Sequence, residues 1–343
     1  MGKRCLVTGG LGFIGQHLVR QLLERGDEVR ILDLATPIQR QPGVDYVTGS
    51  ITDRPTVKTA MQGMDWVFHL AANAGLWSPR KQDFITVNQT GTRTVMTEAI
   101  AAGVEQVVHC STESILKSVR RPHHDPKAAG QKIDESVQLT LADMAGAYCR
   151  GKFIAEQEAL AAARQGLSVI VVNPTVPIGP GDRRITPPTR MMLGFLNGTY
   201  PAYLNSTLNL VDARDVALGH IRAAERGRVG ERYILGHIDL PLQDLLALLE
   251  EITGLPMPTR QIPYWLALTV STVQELVADY LTKKPPAAPL TGVKLARSPL
   301  RFDNTKAVQE LGLSFRPLRE SLVDAIHDYE ARHLLQRPLR NQN

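Results

Sequence analysis

The sequence predicts a doubly wound α/β fold, in which helices cover both faces of a parallel sheet. The first observation is a turn containing Gly9, Gly12 and Gly15, which joins a short apolar strand to an amphipathic segment. The second is the alternation of strand and helix patterns through the first half of the chain, which is typical of a parallel sheet. The third is an acidic residue, Asp33, at the end of the second predicted strand.

The glycine turn is suited to binding a dinucleotide. Glycines at this spacing allow a tight turn, a close approach to a pyrophosphate, and packing of the helix against the sheet. The helix begins at Phe13 and Ile14 and continues to Arg25-Gly26. Asp33 lies about twenty residues after the glycine turn, where a carboxylate accepts hydrogen bonds from the adenosine ribose and repels a 2′-phosphate. We therefore predict NAD(H) as the cofactor, with NADP(H) as the alternative; a plain turn residue is the other interpretation of Asp33.

The next elements continue the alternation. Apolar runs predict strands at 44–47, 66–72, 104–110 and 166–172, and helical spacing predicts helices at 55–61 and 87–102. Residues at the ends of these strands or directly after them are predicted to line the cofactor at the carboxyl edge of the sheet, namely Ser50, Ile51, Leu70, Ala71, Ala72 and Ser111. Thr112 reaches the same edge. Residues 117–132 combine Arg, His, Pro and Gly without periodicity and are predicted to form a loop that contacts substrate.

Tyr148 and Lys152 carry the clearest chemical signal. A spacing of four residues places them on one face of a helix, about one turn apart. A phenol has a pKa of about 10, so it exchanges protons near neutrality only where a neighbouring ammonium favours the phenolate. A hydroxyl from Thr112 or Ser111 would orient a carbonyl or alcohol beside the phenol. Taken alone, a Tyr and a Lys at this spacing usually lie on a solvated helix face. Because the glycine turn is also present, we interpret the pair as catalytic.

Composition limits the remaining possibilities. The 343 residues are 43% apolar and 21% charged, enough for one large core or a core with an added lobe. The net charge of +5 is scattered, so nucleic acid is not an expected partner. The 3 cysteines lack metal-site spacing and suit buried thiols. We expect no bound metal, signal peptide or transmembrane segment, and predict a cytoplasmic protein.

Together these motifs resemble the extended short-chain dehydrogenase/reductases, from Lys3 to about Tyr329. Further matches are Asn88, the Gly179-Pro180 loop, residues 209–217 and residues 302–312. The resemblance implies a Rossmann-like domain and adds Asn88, Pro174 and Val176 to the cofactor contacts. It assigns Tyr148, Lys152 and Thr112 as the catalytic residues, and it implies a homodimer.

Three subgroups of that family compete. Nucleotide-sugar epimerases and dehydratases carry Tyr-Gly where this chain has Leu116-Lys117, and an Asn in place of Val176. Dehydratases add an Asp-Glu pair where this chain has Glu113-Ser114. The chain is more similar to the reductase branch of dihydroflavonol reductases and 3β-hydroxysteroid dehydrogenases, and to the group labelled hopanoid-associated sugar epimerases.

The C-terminal part is predicted to form a smaller, mostly helical substrate lobe. We predict a dinucleotide-binding domain at 1–180, completed by about 208–238 and 300–310, a lobe at 181–207 and 239–300, and a C-terminal helix with a basic tail at 311–343. Residues 240–252 read as a core helix. The nearly uncharged stretch 263–281 favours a packed lobe helix, with a lid over a hydrophobic substrate or a peripheral membrane contact as alternatives.

These observations predict an NAD(H)-dependent oxidoreductase that interconverts a ketone and a secondary alcohol on an apolar, lipid-type substrate. Tyr148 would exchange the proton, Lys152 would lower its pKa and hold the ribose, and Thr112 would orient the substrate oxygen. The second hypothesis is a sugar epimerase or dehydratase with transient hydride transfer. The third hypothesis is a non-catalytic dinucleotide-sensing or scaffold protein.

Overall fold

The computed structural model describes residues 2–120, 132–297 and 301–340. Most of the predicted substrate loop at 117–132 lies outside these ranges. Within them the strands are, in chain order, β1 (Arg4–Thr8), β2 (Glu28–Asp33), β3 (Val44–Thr48), β4 (Trp66–His69), β5 (Gln106–Cys110), β6 (Lys132–Ile133), β7 (Val169–Pro174), β8 (Val176–Ile178), β9 (Tyr203–Leu204), β10 (Thr207–Asp212), β11 (Arg232–Leu235), β12 (Ile238–Pro241), β13 (Gln261–Ile262) and β14 (Arg301–Phe302).

The α-helices follow the same alternation. They are α1 (Phe13–Glu24), α2 (Arg54–Met61), α3 (Gln82–Ile85), α4 (Gly91–Ala102), α5 (Ala147–Arg164), α6 (Pro187–Leu196), α7 (Ala213–Arg226), α8 (Leu242–Thr253), α9 (Tyr264–Val277), α10 (Leu290–Leu295), α11 (Thr305–Leu311) and α12 (Leu318–Ala331). None of the helices in the described ranges is both long and apolar enough to cross a membrane.

The main sheet has seven parallel strands in the order β11-β7-β5-β4-β1-β2-β3. From β1 the chain builds outward through β2 and β3, then crosses back to place β4 on the other side of β1. This reversal opens a crevice between β1 and β4 at the carboxyl ends of the strands, where ligands of open parallel sheets bind. The predicted doubly wound fold is confirmed.

Helices cover both faces of the sheet because successive side chains of each strand point to opposite faces. On β1, Leu6 packs with α2, α4 and α5. Its neighbours Cys5 and Val7 pack on the other face with α1, α7 and α11. Cys5, Cys110 and Cys149 are free, buried thiols, as the sequence predicts.

The C-terminal lobe has its own core. It is built from a three-stranded sheet, β12-β10-β8, together with α6, α8 and α12. The predicted core helix at 240–252 is confirmed, since α8 buries Leu242, Leu245, Leu246 and Leu249.

Two predictions about helices were wrong. The helix predicted to open at 87 begins at Gln82, because α3 and α4 run together through a π-helical turn, Thr86–Thr90, that contains buried Asn88. The packed lobe helix predicted within 263–281 is α9, which buries only Ala267 and Ser271 and turns most of its apolar side chains to solvent. The apolar sequence predicts helix α9, but it does not indicate which side of the helix packs against the protein.

Candidate active site

The glycine turn after β1 is tightly enclosed. Gly9 has φ +72°, and a Cβ atom there would lie 2.8 Å from the backbone nitrogen of Ala71. A Cβ atom on Gly15 would lie 2.3 Å from the carbonyl oxygen of Gly9. The N-cap of α1 is Gly12, and no side chain caps the helix. The first turn, including Phe13 and Ile14, therefore offers its N–H groups and the positive end of the helix dipole to an anion.

Replacing Gly15 with Ala is expected to lower the free energy of unfolding by about 1–3 kcal/mol. The new methyl group would clash with the Gly9 backbone, which can move only by distorting the turn. Urea denaturation measures the effect. Gly12→Ala is the matched control in the same turn, since its Cβ atom would meet the Gly9 carbonyl at a milder 3.1 Å. Equal losses in the two variants would contradict this account of the turn.

Asp33 lies buried at the end of β2. Its carboxylate accepts hydrogen bonds from the backbone N–H groups of Leu11 (3.2 Å) and Ala35 (3.1 Å). Arg184 also reaches it, with 2.8 Å between the guanidinium and Oδ1. Arg184 is not among the residues predicted from the sequence, although it lies just beyond the Gly179-Pro180 loop of the family resemblance.

The loop that carries Arg184 lies against the start of α1. Gln16 donates a hydrogen bond from Nε2 to the carbonyl oxygen of Gly181 at 2.5 Å, and His17 Nε2 lies 2.9 Å from that of Pro180. Ile185 has φ +50°, an unusual conformation for a β-branched residue. The loop therefore closes one side of the crevice above the glycine turn.

A buried histidine, His69, connects the end of β4 to β1 and α4 through hydrogen bonds. His69 lies 2.8 Å from the Thr8 hydroxyl through Nδ1 and 3.0 Å from the Thr92 hydroxyl through Nε2. The Thr8 hydroxyl in turn accepts a hydrogen bond from the N–H of Ala71 at 3.1 Å. Burial lowers the pKa of His69 to about 3, so the ring is neutral. This network fixes the backbone beside Gly9, and the sequence analysis did not anticipate it.

Thr112, Tyr148 and Lys152 come together where β5 meets the start of α5. The Tyr148 phenol lies beside the Thr112 side chain, and burial raises the pKa of the phenol above its ordinary value. The Thr112 hydroxyl donates to Ser114 Oγ and accepts from the Ser114 N–H, both at 3.2 Å. Lys152 is buried and donates from Nζ to the carbonyl oxygen of Cys110 at 2.7 Å, and burial lowers its pKa. Phe84 lies edge-on to the Tyr148 ring at 6.1 Å. Lys152 is not among the groups that shift the Tyr148 pKa in this structure, where burial has the largest effect, so the predicted lowering of that pKa by Lys152 is not found.

Glycine also matters beneath this cluster. A Cβ atom on Gly151 would lie 2.6 Å from the carbonyl oxygen of Phe84, so the absence of a side chain lets α5 approach α3 closely. On the substrate side, Glu113 pairs with Lys117 at 2.8 Å. Leu116 is buried beside them. The side chains that follow Thr112 are therefore engaged within the protein.

The other predicted cofactor contacts lie mainly at the same carboxyl edge. Ser111 follows β5, and its buried hydroxyl has no hydrogen-bond partner among the described residues. Asn88 accepts from the N–H of Asn73 at 2.7 Å. The side chain of Ile51 instead packs in the core below Gly91, which leaves its backbone for any cofactor contact. The remaining positions lie on strands or directly after them: Ser50 after β3, Leu70, Ala71 and Ala72 after β4, Pro174 at the end of β7, and Val176 on β8.

This geometry is that of a dinucleotide-dependent oxidoreductase of the extended short-chain type. The model of the NAD dependent epimerase/dehydratase family matches residues 5–236, and the chain belongs to that family.

Three relatives are similar over nearly the whole chain. A Synechocystis protein provisionally named a dihydroflavonol 4-reductase is 42% identical, over 94% of each chain. Sterol demethylase protein B of Methylococcus capsulatus is 30% identical, over 96% of this chain and 99% of that one. A 4-hydroxy-2-methyl-3-oxo-4-farnesyl-3,4-dihydroquinoline-1-oxide ketoreductase of Stigmatella aurantiaca is 32% identical, over 94% of this chain and 95% of that one.

The solved structure of gox2253 shares the fold throughout. It superimposes with a TM-score of 0.82 at 32% identity and covers 98% of this chain and 100% of its own. The recognised family and the enzyme class predicted from the sequence are thereby confirmed.

Proposed function

We propose that the protein is an NAD(H)-dependent oxidoreductase that interconverts a ketone and a secondary alcohol on an apolar, lipid-type substrate. The observation that carries the proposal is the position of Tyr148 beside Thr112, with buried Lys152 one helical turn further along α5. This group lies at the carboxyl edge of the same sheet as the glycine turn, so a cofactor and a substrate oxygen can meet there.

The crevice fits a dinucleotide. Glycine at positions 9 and 15 leaves the backbone bare where a Cβ atom has no room, and the uncapped start of α1 suits a pyrophosphate. Asp33 is positioned to accept from a ribose hydroxyl. The unpartnered Ser111 hydroxyl supplies a further polar contact toward the reacting end. Bound nicotinamide supplies or accepts the hydride.

The chain's own residues handle the substrate oxygen and the proton. Thr112 donates a hydrogen bond that holds a ketone oxygen next to the phenol. Tyr148 keeps its proton in the free site because burial raises its pKa, and it donates that proton as the oxygen becomes an alkoxide. The resulting phenolate needs a cation, and Lys152 supplies the ammonium one turn away. The reverse reaction uses the same groups with Tyr148 as the base.

An apolar substrate is favoured by relatives and by the substrate side of the site. Two relatives at 30% identity or more bear names with a sterol or a farnesylated ketone in them. Within the site, Lys117 is engaged by Glu113 and stacks 5.3 Å from the Phe302 ring, so its charge is partly satisfied without a phosphorylated substrate.

A ketone panel tests this proposal. Long-chain 3-keto lipids, sterol ketones and sugar nucleotides are offered in turn with NADH, and nicotinamide absorbance and products are followed together. The proposal predicts that an apolar ketone is reduced as NADH is consumed. Conversion of a sugar nucleotide without net change in absorbance, with the apolar ketones inert, would overturn it in favour of an epimerase.

Cofactor selection provides an independent prediction. Replacing Asp33 with Asn is expected to raise the ratio of kcat/KM for NADPH to that for NADH by about a hundredfold, because a repulsive charge within about 5 Å of the 2′-phosphate is removed. Arg184 also loses its partner and becomes free to bind that phosphate. Initial rates with both cofactors measure the ratio.

The control variant combines Asp33→Asn with Arg184→Ala. We expect it to keep the relief of repulsion and to lose the part of the gain that Arg184 provides. An unchanged ratio in the single variant would show that Asp33 does not contact the adenosine ribose.

A further inference from the structure

The outer side of α9 is an uncharged surface, which we call the α9 face. Residues 264–274 include no charged side chain. Large apolar side chains are exposed along the helix and its π-helical extension, Ala278–Thr282. The exposed fractions are 66% for Trp265, 44% for Val270, 55% for Val273, 51% for Leu276, 77% for Tyr280 and 78% for Leu281.

These side chains share one side of the helix. At 100° per residue they fall within about half of the circumference, and Ala267, Ser271 and Ala278 fall on the buried opposite side. The exposed hydroxyls between them donate to the helix itself, from Thr269 to the Trp265 carbonyl at 2.9 Å and from Thr272 to the Leu268 carbonyl at 2.7 Å. The hydroxyl protons of Thr269 and Thr272 are therefore satisfied without water.

Charges are arranged around the α9 face rather than on it. Glu275 and Asp279 turn inward, where Lys81 pairs with both at 3.0 and 3.2 Å. Exposed Lys283 and Lys284 follow at the C-terminal end. At the N-terminal end, exposed Arg297 lies 5.6 Å from the Tyr264 ring. An apolar face with aromatic residues at both ends and cations at its margins complements an anionic lipid surface.

The segment that carries the α9 face also lies close to the start of α5. The Trp77 indole donates to Asp279 at 2.7 Å, which ties the end of α9 to the loop before α3. On α10, the Thr291 side chain occupies the space where a Cβ atom on Gly146, two residues before Tyr148, would lie. The α9 and α10 segment thus packs beside the start of α5, which carries Tyr148.

We propose that the α9 face is a membrane-docking surface that binds the headgroup and upper acyl region of an anionic bilayer. Docking through this face brings the segment beside Tyr148 to the lipid surface, where the apolar substrate of the proposed function is held. Vesicle binding is measured without substrate, so its failure would leave the proposed oxidoreductase activity standing.

Cosedimentation of the full chain with phosphatidylcholine vesicles, with and without phosphatidylglycerol, tests the proposal. We expect binding that strengthens with the anionic lipid. Val273→Glu should weaken it by about tenfold or more, because a carboxylate replaces apolar area that the bilayer buries. Val229→Glu is the matched control, since Val229 is 54% exposed in another part of the chain. The double variant Lys283→Gln, Lys284→Gln should weaken binding to the vesicles with phosphatidylglycerol by up to about thirtyfold. Its binding to pure phosphatidylcholine vesicles should stay unchanged.

Other outcomes would overturn the proposal. Wild-type protein that fails to sediment with either vesicle, or Val273→Glu protein that binds like wild type, would exclude the α9 face as a lipid contact. Light scattering supplies the second readout, the oligomeric state. If the protein does not bind vesicles, and if wild type is a dimer that Val273→Glu converts to a monomer, the α9 face is a contact between two copies of the chain.

Discussion

Replacing Tyr148 with Phe is expected to lower kcat about a thousandfold and to leave NADH affinity within about threefold of wild type. The variant keeps the ring that packs beside Phe84 and loses only the hydroxyl that the Thr112 side chain contacts. Without that proton the developing alkoxide has no acid within reach. Steady-state rates with the ketone from the panel give kcat, and quenching of protein fluorescence gives the NADH dissociation constant.

Tyr200→Phe is the matched control for this variant. It also removes one phenolic hydroxyl, whose partner is the carbonyl oxygen of Ala287 in the lobe, at 3.3 Å. We expect nearly unchanged kcat for it. Near-normal turnover of Tyr148→Phe would remove the phenol from the proposed chemistry, and equal losses in both variants would show a structural effect.

Acidification is expected to destabilise the folded protein steeply below pH 6.5. Three histidines are almost completely buried, namely His69, His109 and His220. Burial lowers the pKa to about 3 for His69 and about 4 for His220, and places that of His109 well below its ordinary value. Between pH 6.5 and these values the unfolded chain binds protons that the folded chain does not. Each histidine then removes about 1.4 kcal/mol of stability per pH unit, or about 4 kcal/mol for the three together.

Urea denaturation at a series of pH values measures this slope. Both ring nitrogens of His109 lack a hydrogen-bond partner within the described part of the chain. His109→Phe should therefore reduce the slope by about a third and raise stability at pH 5. His327→Gln, on the exposed side of α12, is the control and should not change it. A flat profile between pH 7 and 5 would contradict the burial of neutral histidines.

The candidate site residues that the sequence identifies depend on local spacing. The glycine turn, Asp33 and the pair of Tyr148 and Lys152 each lie within one strand-to-helix connection or one helical turn. Parallel strands bring their carboxyl ends to one edge, which is why Thr112 could be grouped with residues distant in the chain.

The missed features depend on contacts that spacing does not encode. Arg184 meets Asp33 across 151 positions of sequence. His69 reads as one more residue of an apolar strand, and only the fold places Thr8 and Thr92 on either side of its ring. The outward face of α9 was misjudged because a helix with so little charge gives no sign of which side is solvated.

The most direct test of the proposed chemistry follows the hydride itself. NADH carrying deuterium at the transferable C4 position is incubated with the enzyme and the apolar ketone, and the product is analysed by mass spectrometry. The account predicts an alcohol with one deuterium on the carbinol carbon and an equal amount of NAD⁺. Product that forms without deuterium and without loss of NADH would contradict the assignment as a net ketone reductase.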